Sequence, residues 1–185
     1  MPPLMKGEHD ANKFATHIHG CAAFKTNKDL TEFEMLGMVE NRPLGLLEPT
    51  MIELRDGRLV MLMRAEWGGF LWQSESYDRG RTWKPAWQTD IPNPSSMANL
   101  LRLPNGYIVL IHNNCGGVVG EKPARRSPLS VWVSRDEMTT WFVKEDILFG
   151  GDLTYPNGYL LQDGKLVFVY DYNRREVRYV EVDFN

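Results

Sequence analysis

The stretch Ser76-Tyr77-Asp78-Arg79-Gly80-Arg81-Thr82-Trp83 constrains this chain more than any other. Its pattern is S-x-D-x-G-x-T-W, and each fixed position suits a tight β-hairpin. Ser76 and Asp78 offer oxygens to turn N–H groups, and Gly80 permits the positive φ that a Cβ resists. Thr82 restarts an extended strand, and Trp83 folds back over the hairpin as a large apolar cover. Nothing in the stretch is arranged for bond-making. Its consequence is a repeat. Residues Ser134 to Trp141 keep Ser, Asp, Thr and Trp with Met138 at the glycine position. Residues Thr26 to Phe33 read as a decayed copy that keeps the leading Thr and the final aromatic.

A second unit recurs beside the first. A strand, an Asp-Gly or Asn-Gly turn and a very apolar strand follow one another at Met51–Leu62, Leu100–Ile111 and Tyr159–Tyr170. Such dipeptides between apolar runs are the strongest short hairpin signal and predict two-residue turns. The turn glycines Gly57, Gly106 and Gly164 lie 49 and then 58 residues apart, and Trp83 to Trp141 is again 58. Two units sharing one period in fixed order make a four-stranded repeat, and no stretch has helical periodicity. Four-stranded repeats of this length are the blades of a β-propeller.

The fold class is therefore all-β, a partial propeller over residues 14–185 behind a linking segment at 1–13 that holds Pro2, Pro3 and Gly7. Two strands are expected before Glu48, four in 50–90, four in 98–147 and three in 158–183. That is about three and a quarter blades, where a closed ring needs roughly four to eight. Closure calls either for further blades in a longer chain or for a second copy, a homo-oligomer that completes the propeller.

Composition narrows the partners. A net charge of −3 and a pI near 5.8 argue against nucleic acid or an anionic membrane as the main partner. No apolar run is long enough to span a bilayer. The N-terminus lacks the apolar stretch of a secretion signal, which places a full-length chain in the cytoplasm and leaves secretion or the periplasm to a truncated one. Cys21 and Cys115 fit no metal or redox spacing and are read as free thiols. His17 and His19 share a strand face but have no third ligand in view, so strand polarity explains them better than a metal. No cofactor is implied.

At this point the motifs carry a family resemblance. The chain resembles the C-terminal half of the sialidase-type propellers with Asp-box (BNR) repeats, over residues 17 to 184. The similarity rests on Glu48-Pro49-Thr50 followed by Asp56-Gly57-Arg58-Leu59 and Arg64, and on Ile91-Pro92-Asn93-Pro94. It rests further on Asn113-Asn114, on Arg126-Ser127-Pro128-Leu129-Ser130-Val131 leading to Ser134, and on Tyr155-Pro156 ahead of Asp163-Gly164. The resemblance implies a six-bladed ring when complete and an exo-acting glycoside hydrolase on sialic acid or another acidic sugar. Three arginines, a tyrosine nucleophile, a neighbouring glutamate and an aspartate acid/base belong to that scheme. Glu48 matches the glutamate, Arg64 the second arginine, Arg126 the third and Tyr155 the nucleophile. The first arginine and the aspartate belong to the family's first blades, and no motif here matches them.

The residues make chemical sense as a set. Guanidinium groups match a carboxylate with fork-shaped donors, and Arg125 competes with Arg126 through a one-residue slip. An unassisted phenol titrates about three units above neutral pH, so ionising one costs roughly 4 kcal/mol and calls for a base such as Glu48. Sialidases are the recognised exception to the two-carboxylate scheme of glycoside hydrolysis. Asn113, with Asn99 and Asn114, is a candidate polar contact to substrate. Asp152 in Gly150-Gly151-Asp152 is read as part of a turn in preference to an acid. Trp67 and Trp72 flank Gly68-Gly69, where Trp67 suits a rim loop and Trp72 blade packing. The loop from Cys115 to Ser127 is expected over the channel mouth. The competing reading is a non-catalytic module that binds sugars or a protein, consistent with the unmatched arginine and aspartate.

Overall fold

Thirteen strands in four antiparallel sheets make up the computed structural model, which describes residues 20–41, 45–66, 69–116 and 125–183. The first sheet holds β1 (Gly20–Thr26) and β2 (Phe33–Glu40). The second holds β3 (Leu46–Glu53), β4 (Leu59–Ala65), β5 (Gly69–Ser76) and β6 (Trp87–Asn93). The third holds β7 (Asn99–Arg102), β8 (Ile108–His112), β9 (Leu129–Ser134) and β10 (Val143–Leu148), and the last β11 (Leu153–Leu160), β12 (Leu166–Tyr172) and β13 (Glu176–Val182). Each sheet is a meander in chain order, which is the construction of a propeller blade. His17, His19 and Trp67 lie outside the described residues.

Burial explains why the strands after the turns are so apolar. Along β8, Ile108 and Leu110 face the second sheet, whereas Val109 and Ile111 face the last, and none of the four is exposed at all. Strand β4 does the same, with Val60 and Leu62 on one side and Met61 and Met63 against Cys21 and Val39 on the other. A strand covered on both faces reads as an unbroken apolar run, and each such side chain stabilises the fold by roughly 1.5–3 kcal/mol. Alternation returns in the last sheet. Leu166, Phe168 and Tyr170 are buried, but Val169, with its neighbours Tyr159 and Tyr179, faces outward and is exposed. Phe24, Met35 and Met38 of the first sheet are exposed likewise, so each flank ends in an uncovered apolar face.

The inner strands are joined directly. Thr50 Oγ1 accepts from the Leu100 N–H at 2.9 Å, and Asn99 Oδ1 accepts from the Gly158 N–H at 3.0 Å. These bonds set β3, β7 and β11 side by side.

The turns follow the sequence with two corrections. At the Asp-Gly and Asn-Gly positions only Gly57, Gly106 and Gly164 have positive φ, at 86°, 87° and 88°. The Gly57 N–H reaches the Leu54 carbonyl and the Leu54 N–H the Arg58 carbonyl, so the loop has three residues, not two. It is a type I turn closed by a left-handed glycine, and the Asx side chain clasps the N–H two residues on, as Asp56 does at Arg58 (3.0 Å). The second correction concerns the decayed copy. Asn27 Oδ1 accepts from the Thr31 N–H at 2.9 Å, matching the bonds of Asp78 with Thr82 and of Asp136 with Thr140 (both 2.8 Å). The polar clasp survives one residue out of step with an alignment on Phe33.

The full hairpins confirm the polar clasp and the Trp83 cover read from their sequence, but Thr82 does not restart a strand: the chain stays irregular through Ala86 and β6 begins at Trp87. Ser76 Oγ accepts from the Gly80 N–H at 2.7 Å, Thr82 Oγ1 donates to Asp78 at 2.6 Å, and the Trp83 indole donates to the Gly80 carbonyl at 3.0 Å. Ser134, Asp136 and Thr140 repeat the pattern, with Met138 tolerating a φ of 67° in place of glycine.

Candidate functional site

All hairpins of this kind lie at one end of the sheets, together with the turns at Gly57, Gly106 and Gly164. The residues singled out for chemistry lie at the other end, where β3, β7 and β11 begin and β4 and β8 finish. Two of the inner strands start with a backbone bulge. The register breaks between Leu47 and Thr50 in β3 and between Thr154 and Asn157 in β11. Pro49 and Pro156, which have no N–H for a ladder, sit inside these bulges. Both strands therefore begin several residues before the expected starts at 50 and 158, and Glu48 and Tyr155 lie within them.

Glu48 (φ 47°), Ser95 (φ 56°) and Tyr155 (φ 55°) are left-handed non-glycine residues near the start of three successive inner strands. Each such conformation costs of order 1–3 kcal/mol and persists only where surrounding contacts impose it. Ser95 was not picked out by its sequence. The available signal was Pro94, which marks the third inner strand as Pro49 and Pro156 mark the others.

Arg64, at the end of β4, is almost fully engaged. Its Nη1 donates to the carbonyl (3.0 Å) and hydroxyl (2.6 Å) of Ser95, and Nη2 donates to Glu48 Oε1 at 2.9 Å. Nε stands 2.7 Å from Glu48 Oε2, an ionic contact outside hydrogen-bond alignment. A guanidinium has five N–H groups, so about one, on Nη2, is left for a ligand. Glu48 also cancels the charge of Arg64. The fork-on-carboxylate geometry expected of Arg64 is thus taken up by the protein's own glutamate.

Arg126 is the opposite case. It is half-buried, whereas Arg125 is exposed, and its Nη1 is buried with no hydrogen-bond partner among the described residues. Its main chain is fixed from two sides. The Arg126 carbonyl accepts from the Leu153 N–H at 3.0 Å and from Asn113 Nδ2 at 2.9 Å. The same Asn113 nitrogen lies 3.0 Å from the carbonyls of Pro128 and Leu153. Asn113 is fully buried, so its amide positions the Arg126 segment against β11, two residues before Tyr155.

Further polar groups line the same end. His112 is fully buried, its ring edge-on to Trp132 with centroids 4.6 Å apart. Its Nδ1 donates to the Pro92 carbonyl at 3.3 Å, which leaves Nε2 as a buried acceptor without a partner among the described residues. Burial pushes the imidazole down to about 4. Ser96 Oγ, Asn113 Oδ1 and Thr154 Oγ1 are likewise buried and unpartnered among the described residues. Asn114 is committed to Asp146 (3.0 Å) and Asn99 to Gly158. Asp152 pairs with Asn173 through two bonds of 2.8 Å, one step beyond the Leu153–Tyr172 pair of the β11–β12 ladder. The structure brings Glu48, Arg64 and Ser95 into one cluster and Asn113, Arg126 and the start of β11 into another. No hydrogen bond joins Glu48 to Tyr155 among the described residues.

A fold of meandering four-stranded blades, closed by Asp-box hairpins at one end and carrying arginines at the other, defines a sialidase-like propeller. The BNR repeat-like domain matches residues 9–169, and the chain belongs to that family. No curated protein sequence is similar enough to count as a match. Among solved structures the chain is similar to the NanB sialidase from Streptococcus pneumoniae, with a TM-score of 0.72 and 15% identity over 90% of this chain and 28% of that one. A Hadza microbial sialidase, Hz136, gives 0.68 and 19% over 85% of this chain and 31% of that one. The α-L-arabinofuranosidase Arb93A of Fusarium graminearum gives 0.54 and 19% over 76% and 45%. The chain spans about a third of the length of the two sialidases.

Proposed function

We propose that the strand-start end of this propeller is part of a sialidase-like glycoside hydrolase site for a terminal sialic acid or another acidic sugar. The observation that carries the reading is the buried Nη1 of Arg126, a cationic donor with no partner among the described residues. A donor buried without a partner forfeits of order 1–3 kcal/mol, and more when charged, unless a ligand or water supplies an acceptor. A carboxylate satisfies both the geometry and the charge. Arg64, neutralised by Glu48, adds one further N–H and orders the neighbouring backbone through Ser95.

In the retaining mechanism that follows, the Tyr155 oxygen bonds to the anomeric carbon as the glycosidic C–O bond breaks. The phenolic proton passes to Glu48, and the leaving oxygen takes a proton from an acid outside the residues matched here. Glu48 must release one oxygen from Arg64 to act as that base. Water then attacks the anomeric carbon and gives a proton to the conjugate base of that acid, the Tyr155–carbon bond breaks, and the phenolate takes back the proton held by Glu48.

The Glu48–Arg64 pair also favours a second reading, a binding module that holds an acidic sugar without turning it over. An activated aryl sialoside separates the two, because a good leaving group needs little acid assistance. For a hydrolase, turnover is expected, and Tyr155→Phe removes it while binding of free N-acetylneuraminic acid persists. Binding without turnover assigns the module. If Arg126→Ala leaves binding of that sugar acid unchanged, both readings fail.

A further inference from the structure

We infer that a cleft beside the second Asp-box hairpin is a binding site for a neutral sugar residue, remote from the arginine cluster and independent of the reading above. The two full hairpins share one clasp but meet the preceding sheet differently. At the first, β2 lies directly on the turn. A Cβ added to Gly37 would fall 2.6 Å from the Arg81 carbonyl oxygen and 2.8 Å from that of Gly80. Trp83 completes the closure by donating its indole N–H to Gly80. Strand and turn are in direct contact at that point.

At the second hairpin the counterpart of β2 is β6, and it stands off. The gap is a cleft of about 290 Å³ lined by Gln73, Asp90, Met138, Thr139, Trp141 and Lys144, among others. Met138 occupies the position of Gly80 and packs on the core between the sheets, adding side-chain bulk that a glycine would lack. The Trp141 indole N–H, unlike that of Trp83, has no hydrogen-bond partner among the described residues. The motif is thus repeated with its lid open and its donor unspent.

The lining matches a pyranose in form. Trp141 leans on Trp132 at 6.1 Å and, with Met138, offers apolar surface to a ring's C–H face. Gln73, Asp90, Thr139 and the indole N–H supply donors and acceptors for hydroxyl groups. Asp90 and Lys144 carry opposite charges on the same rim, so a neutral ligand is favoured over an anion. The volume suits one ring, at the small end of ligand pockets.

The test is titration of the whole chain with methyl β-D-galactoside, methyl α-D-mannoside and lactose, each to about 50 mM, followed by the Trp141 indole N–H resonance and by saturation-transfer NMR. One probe is expected to bind saturably with a Kd on the order of millimolar, shifting that resonance. The rim variants Gln73→Ala and Asp90→Ala, which fold as shown by an unchanged thermal midpoint, should each weaken it about tenfold. Arg126→Ala should leave it untouched. Absence of saturable binding for all three probes overturns the inference. So does binding that the rim variants do not weaken, or that Arg126→Ala abolishes.

Discussion

At the turn end of the sheets, the Asp-box hairpins close on themselves. Ser76, Asp78 and Thr82 bond one another and turn N–H groups, and Ser134, Asp136 and Thr140 do the same. At the strand-start end, Ser96 Oγ, His112 Nε2, Asn113 Oδ1, Arg126 Nη1 and Thr154 Oγ1 are buried without partners among the described residues. Glu48, Ser95 and Tyr155 hold left-handed backbones there. One protein applies two standards of polar satisfaction to its two ends. The difference teaches where stability is stored and where most of the binding capacity is kept, with the Trp141 indole N–H as the exception at the turn end, since unspent donors and acceptors are what a ligand can use.

The sharpest way to break that contrast is at Asn113. Asn113→Ala leaves three carbonyls without the amide that gathers them, and a loss of about 4 kcal/mol is expected by chemical denaturation. A loss below about 1 kcal/mol would mean that the Arg126 segment is held by other contacts.

Acid separates the two ends by pH. Burial lowers His112 from 6.5 to about 4, so the unfolded chain takes up that proton first. Its contribution is complete above pH 6.5 and falls by at most about 3 kcal/mol as the pH drops to 4. Asp78 and Asp136 are held at about 2 by hydrogen bonds from the Thr82 and Thr140 hydroxyls. Their contribution is present above the ordinary aspartate value of 3.8 and is lost as the pH falls through about 2. Thermal midpoints measured from pH 8 to 2 should decline in two stages. A single stage below pH 4 would remove His112 from the account.

The smallest expected effect is a gain. Arg79 is exposed in the first hairpin with a φ of 61°, and Arg79→Gly should stabilise by about 1 kcal/mol through relief of that conformation. No gain would show that the turn imposes little strain.

Much of the fold was legible because it is local. Asp-Gly turns, the eight-residue hairpins and the double-faced apolar strands announce themselves within ten residues, and all thirteen expected strands are present. The misreadings are of two kinds. Asp56-Gly57 suggests a two-residue turn because a dipeptide does not reveal that Asp56 will clasp Arg58 instead of adopting positive φ itself. The expected strand starts at 50 and 158 fall after Pro49 and Pro156 because a bulge that holds a proline inside a strand depends on the neighbouring strand. The site was legible only as residue types. That Glu48 would spend itself on Arg64, with Ser95 as the third member, depends on contacts 16 and 31 residues apart along the chain. The open cleft at Trp141 had a faint signal in Met138, the one substitution at the glycine position of an otherwise faithful copy.

The bonds from Thr50 to Leu100 and from Asn99 to Gly158 bear on a hazard common to β proteins. The innermost strand of every blade is a sheet edge, and an edge with free N–H groups is a template for any extended peptide. Here a side-chain oxygen of one blade occupies a donor on the edge of the next. Two short polar residues, Thr50 and Asn99, thus occupy edge donors that an added strand would otherwise use.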